Sequence, residues 1–270
     1  MDEADTDSVD EPAYAAVRRD GVLCVRRSGT EWLSTGWDGG RCQADRAYNI
    51  SVPEEWARTD LEAYTSERIG RAGFNEADSK RPVLLTGVDI ADARGARCGS
   101  VTAYATAGIS NPAALPMNPD KSDQSGSNSS GDDAPTRPGT GTVNLIVGTT
   151  RALASGALAN LIAVAAEAKA ATLLAETGFP GTTTDAIVVG HDLEGESVPF
   201  SGTGTEVGGA TRACVREAVR ASLQAHYAER TEQVPASVDE ATHGVSTTER
   251  ATVFRPGDAT TDGDNEQRPS

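Results

Sequence analysis

The chain has 270 residues, with 40 acidic and 24 basic side chains and a net charge of −16. It is long enough for a sizeable core. The acidity argues against nucleic acid or an anionic membrane as main partner, and an aromatic content of 4% argues against a base-stacking surface.

Lysine occurs only at Lys80, Lys121 and Lys169. An acidic, lysine-poor surface stays hydrated at high salt, so the composition points to a halophilic, haloarchaeal source. The polar start, MDEADTDSVDEP, is unlike a signal peptide, and no apolar run reads as long enough to span a bilayer, so a cytoplasmic location is expected. Cys24, Cys42, Cys98 and Cys214 form no CxxC pair. They read as free thiols of a reducing compartment, with a thiolate zinc site assembled in space as the alternative.

Residues 1–11 read as an acidic disordered tail. Strands are expected over Gly21–Arg26, within Glu31–Gly40 and over Ala47–Val52, then a helix from Pro53 to about Arg71 with Trp56, Tyr64 and Ile69 on its apolar face. Pro82–Ile90 and Ser100–Ala107 read as further strands. Residues 116–138 are low in complexity and read as a flexible insertion in one domain spanning 12–228.

From Gly139 to Gly190 the pattern is strand, Ala-rich helix, strand, with Ser155 as N-cap and Gly178 as the left-handed C-terminal residue. A polar hairpin-like stretch, His191–Pro199, precedes a second amphipathic helix over Val207–Ala228. On that helix Arg212, Arg216 and Arg220 form a stripe best read as a solvated, salt-bridged face. Residues 229–270 read as a polar, disordered tail. The elements make an α/β or α+β single domain, a mixed sheet flanked by helices.

Polar residues stand where apolar ones are expected. Asn111, Asn144 and Asp185 lie at strand ends or turns, where α/β sheets place ligands and where Asx turns also form. Thr142, Thr184, Thr203 and Thr205 belong to three Gly/Thr turns, 139–142, 181–184 and 202–205, whose hydroxyls and N–H groups would rim a polar ligand if they converged. Glu167 and Lys169 interrupt the Ala-rich helix, as acid/base groups or as a surface ion pair. His191 is the one histidine placed where a general base can act, and no role is expected of His226 or His243. No GxSxG, HExxH or P-loop motif is present.

The run GTVNLIV (141–147), the helix block AEAKAATLL (166–174) and TTTDAIVV (182–189) resemble the adenosylcobinamide amidohydrolases. So do LSTGWDGG (33–40), LLTGVDI (84–90), TAGISNPA (106–113) and SGTGTEVGGATRACVREAV (201–219), all in family order over roughly residues 20–228. The resemblance implies hydrolysis of the aminopropanol amide of adenosylcobinamide in corrinoid salvage. A non-catalytic corrinoid-binding module and an amidase for another small amide are the alternatives. It implies a corrinoid partner carrying its own cobalt as substrate, no separate cofactor or metal, and no nucleic-acid or membrane partner; a homo-oligomer is compatible.

On this reading Glu167 or Asp185 activates water, with threonine hydroxyls or backbone N–H groups at the oxyanion. The competing mechanism uses Thr142 or Ser110 as nucleophile and Lys169 as its base. Ser110, Asn111, Asn144, Thr184, Thr203 and Thr205 would bind substrate. Three departures from the family pattern stand out: Phe179-Pro180-Gly181-Thr182-Thr183-Thr184-Asp185 stands where the family tends to read TGTGTD, Gly204 stands where a histidine is often found, and the Pro116–Pro138 insertion is longer than typical.

Overall fold

Alternating and continuous apolar runs become strands, and α-helices bridge the two parallel pairs of the large sheets. The computed structural model describes residues 12–53, 60–74, 80–119, 141–228, 230, 231, 233–241 and 243–256. The expected tail at 1–11, most of the insertion and the Trp56 turn lie outside the described residues. In chain order, β1 (Ala15–Arg19), β2 (Val22–Arg26), β3 (Thr30–Ser34), β4 (Gly40–Gln43) and β5 (Arg46–Ser51) precede α1 (Leu61–Arg71) and β6 (Val83–Thr86). A 3-10 turn at Ile90–Asp92 leads to β7 (Arg94–Cys98), β8 (Val101–Ala107) and β9 (Pro112–Ala114). The central unit is β10 (Val143–Thr149), β11 (Ala152–Leu153), α2 (Ser155–Thr177), β12 (Gly181–Thr182) and β13 (Ala186–Asp192). β14 (Ser197–Val198), α3 (Glu206–Tyr227) and β15 (Val245–Ser246) follow.

The mixed α/β class holds, but two large sheets replace the single one expected. One has four strands in the order β1-β2-β5-β6 and the other six in the order β4-β3-β13-β10-β8-β7. Within them only β5 with β6 and β10 with β13 run parallel, and α1 and α2 lie between the partners in sequence.

Strand periodicity sorts the side chains into three apolar layers. Val143, Leu145 and Val147 of β10 and Ile187 and Val189 of β13 pack on Leu158, Leu161 and Ala165 of α2 and on Val215 and Val219 of α3. Their alternates, Ile146 and Val188, meet Leu23, Val25 and Leu84 of the smaller sheet. The outer face of that sheet packs Tyr48 and Ile50 on Ile69 of α1. Gly148 and Gly190, opposite one another, make room for the Tyr14 and Trp32 rings, since a Cβ at either would lie about 2.5 Å from ring carbons. The rings meet edge to face at 5.7 Å.

A polar clasp crosses the same layer. Asn144 Nδ2 donates to Asn49 Oδ1 at 3.1 Å and to the Leu85 carbonyl at 2.9 Å, and Asn144 Oδ1 accepts from Ala186 N at 3.2 Å. Asn49 Nδ2 donates to Thr106 Oγ1 at 2.9 Å. Asn144 thus interrupts its apolar run in order to join the two sheets.

Three expectations about the helices and tail change. α2 begins at Ser155 itself, with Ala154 at the cap and no side-chain cap bond, whereas its end is the expected left-handed Gly178 at φ 80°. α2 is also long and apolar enough to cross a membrane, but half of it is buried in the protein: its apolarity belongs to a core helix. The expected C-terminal tail partly returns to the body, where Val245-Ser246 pairs in parallel with Ala113-Ala114 of β9. All four cysteines are free thiols. Burial raises the Cys24 thiol, and it raises Cys214 to about 12, so neither is ionised at neutral pH.

Candidate active site

The register of the larger sheet gathers several turns at one edge. β10 starts where β8 ends, with Val143 opposite Ala107, and β13 starts where β3 ends, with Val188 opposite Ser34. The turns 108–111, 141–142 and 183–185 and the loop after Ser34 therefore open together. Val88 joins them, its methyl group lying against Gly108. This edge is at the amino ends of the parallel pair, not at the carboxyl ends that α/β sheets more often use.

Lys169 reaches this edge from α2. Its ammonium bonds Asp185 Oδ2, and both side chains are only 10% exposed. Asp185 also accepts from Val143 N at 2.8 Å, from Thr182 N at 3.1 Å and from the Thr182 hydroxyl. Four donors saturate its oxygens, so Asp185 orients Lys169 and is poorly placed to take a proton. No described residue other than Asp185 bonds the ammonium, which leaves two N–H donors for a ligand.

Around this pair, Thr142 Oγ1 and Thr184 Oγ1 share a hydrogen bond of 3.1 Å, and Thr183 N donates to the Asn111 carbonyl at 3.1 Å. Asn111 is 2% exposed, yet its Nδ2 has no hydrogen-bond partner among the described residues. A buried amide donor left unmade costs about 1–3 kcal/mol, so such groups mark places where something else binds. Ser110 packs against Gly141 in the same turn system.

Other expected site residues stand elsewhere. Glu167 has 63% of its side chain exposed and pairs with Arg212 at 3.5 Å, which is the surface ion pair. With Arg216–Glu217 and Arg220–Glu176 it forms the solvated face expected of the arginine stripe. Between the helices lies a groove of about 270 Å³ lined by Ala168, Ala171, Thr172, Thr203 and the paired arginines 212 and 216.

The third Gly/Thr turn does not converge with the other two. Glu206, at the start of α3, bonds Arg151, which follows the far end of β10. The turn 202–205 therefore belongs to the opposite edge of the sheet. Thr203 is exposed there, and Thr205 is the N-cap of α3, accepting from Gly208 N at 3.0 Å. Thr205→Ala should cost about 1 kcal/mol of stability and leave KM unchanged, as thermal melts and steady-state kinetics would show. Asn144 is 1% exposed within the inter-sheet clasp.

The histidines also differ from expectation. His191 Nδ1 accepts from Leu153 N at 2.8 Å, so its proton sits on Nε2, which faces Glu31 Oε2 at 3.1 Å. It fastens β11 to β13 at the far edge, where Glu31 also pairs with Arg41, away from Lys169. His226, for which no role was expected, bonds Asp92 Oδ2 through Nδ1 at 2.9 Å. Its Nε2 packs beneath Gly108, under the turn carrying Ser110 and Asn111. Asp92 lies 134 positions away in sequence, so no local pattern could reveal the pair.

The profile of a family described as adenosylcobinamide amidohydrolase matches residues 5–231. A relative of that name from Halobacterium salinarum is 56% identical over 243 residues, covering 90% of this chain and 100% of the relative. Another of that name from Methanosarcina mazei is 28% identical over 205 residues, covering 72% of this chain and 90% of the relative. The crystal structure of the PH0078 protein from Pyrococcus horikoshii OT3 aligns at TM-score 0.39 and 12% identity over 78% of this chain and 79% of that one, too distant to define the fold. The halophilic reading of the composition is consistent with the Halobacterium relative.

Proposed function

The chain belongs to the adenosylcobinamide amidohydrolase family, and from that premise we propose that the hydrolysis takes place at the Lys169–Asp185 edge. The bond cleaved is the amide joining the aminopropanol arm to the corrin ring. One water is consumed, the C–N bond breaks, and adenosylcobyric acid and 1-amino-2-propanol result. The corrinoid is the substrate and brings its own cobalt. We assign the protein no further cofactor. We place the reaction in the cytoplasm, a compartment that suits four free thiols.

Amide hydrolysis develops negative charge on the carbonyl oxygen, and preorganised donors in a water-poor site stabilise it most. Lys169 supplies a buried cation with spare N–H groups, held in place by Asp185. The Asn111 Nδ2 supports this reading most: it is a buried donor without a partner among the described residues, in a turn bonded to the Thr182–Asp185 turn. Thr142 and Thr184 add hydroxyls to the same rim. Glu167, exposed and paired with Arg212, takes no part in activating water.

The deciding experiment incubates the full chain with adenosylcobinamide at high salt and measures released aminopropanol. Stoichiometric or repeated release is expected. Tight corrinoid binding without release would instead make this a binding module.

A further inference from the structure

Trp37 stands half-exposed on a tightly constrained loop. Trp32, five positions earlier, is fully buried with its indole N–H on the Ala44 carbonyl at 2.7 Å. Trp37 is 44% exposed, and no described residue hydrogen-bonds it or stacks on its ring. An aromatic ring left part-exposed with no stacking partner offers its face to a ligand.

Mobility does not explain the exposure. The loop from Thr35 to Gly39 is fastened to β13 by Thr35 N to the Ile187 carbonyl at 3.0 Å and by Ile187 N to Thr35 Oγ1 at 2.9 Å. Gly36 N donates to Ser34 Oγ at 3.1 Å. A Cβ on Gly36 would stand 2.7 Å from a Leu84 methyl, and one on Gly39 would stand 2.4 Å from the Ser34 carbonyl. Asp38, next to the tryptophan, is held at φ 46°, a left-handed conformation that L residues adopt at some cost. The backbone is over-determined while the side chain it carries is unpartnered.

The place matters as much as the exposure. Ile187, which anchors the loop, is two residues beyond Asp185. The loop therefore leaves the sheet at the same edge as the Asp185 turn. The substrate carries a large macrocycle beside the amide to be cut, and an indole face can pack against its open side.

We propose that Trp37 is the specificity platform of the site: it packs on the corrin ring and holds the substrate at the polar cluster in ground state and transition state alike. This rests on the corrinoid reading above. Trp37→Ala should raise KM for adenosylcobinamide roughly 10-fold or more, as loss of one stacked aromatic does elsewhere, with kcat changed less than about two-fold because the polar donors are untouched. The dissociation constant for cobinamide measured by equilibrium dialysis should rise in parallel, and the thermal midpoint should match wild type. If the alanine chain does not fold, Trp37→Leu, which keeps an apolar side chain of ordinary size, should show the same rise in KM. A wild-type KM in the folded variant, or a loss confined to kcat, overturns the proposal. The two readings fail separately. Wild-type protein that releases no aminopropanol refutes the catalytic assignment, and cobinamide binding in equilibrium dialysis that weakens in Trp37→Ala would still support the platform.

Discussion

Replacing Lys169 by methionine lowers kcat on adenosylcobinamide by roughly 10²–10³-fold, the usual loss when one oxyanion donor is removed from a preorganised site. The same change costs stability. Lys169 and Asp185 are each 10% exposed at the side chain, and breaking a buried pair by removing one partner leaves a desolvated charge, typically at about 3–5 kcal/mol. The two effects separate in the double variant Lys169→Met with Asp185→Asn. With no charge left unpaired, part of the stability should return; the amide keeps one acceptor oxygen, for Val143 N or Thr182 N but not both, since these bond different oxygens of the carboxylate. The activity should not return. Chemical denaturation and single-turnover rates on the folded fraction measure both. Near-wild-type kcat in folded Lys169→Met would remove Lys169 from the chemistry and leave it a structural cation. Lys169→Arg is the informative conservative change, since a planar fork fits poorly where a point charge meets one oxygen of a carboxylate that three other donors already hold.

Asn144→Leu is expected to act in the opposite way, with a large loss of stability and little loss of function. The substitution nearly preserves volume. It strands Asn49 Oδ1, the Leu85 carbonyl and Ala186 N between the sheets. Unsatisfied buried groups cost about 1–3 kcal/mol each where water cannot reach them. A total near 3 kcal/mol, allowing for relaxation, lowers the melting midpoint by about 10 °C for a domain of this size. KM and kcat well below the midpoint should stay within about two-fold of wild type, because Asn144 faces the smaller sheet while Lys169 lies on the helix side. A rise in KM without loss of stability would return Asn144 to the binding site.

His226 and Thr205 show how unevenly the site was legible. Thr205 precedes an amphipathic run and follows Gly202-Thr203-Gly204. That context is equally a ligand turn and a helix cap, and the cap is what forms. His226 sits late in α3 with no neighbouring polar signal, and its partner Asp92 is brought in only by the packing of α3 on β7 and β8. Glu167 and Lys169 differ by two positions on one helix, and that spacing already separates their directions. Which of the two faces the sheet edge depends on how α2 is rotated, and its nearly uniform alanine surface leaves that rotation unmarked.

By itself the sequence determined the element types of the central unit, the left-handed stop at Gly178, the salt-bridged face of α3 and the order of the family blocks. These follow from local rules: strand and helix periods, glycine at positive φ, and like spacing of charges. Only the tertiary structure decided that there are two large sheets, that Asn144 clasps them, and that the Gly/Thr turn at 202–205 opens on the edge opposite Asp185. Which turns meet depends on strand direction and register across tens of residues, and a residue's own neighbours in sequence carry no energy that depends on either.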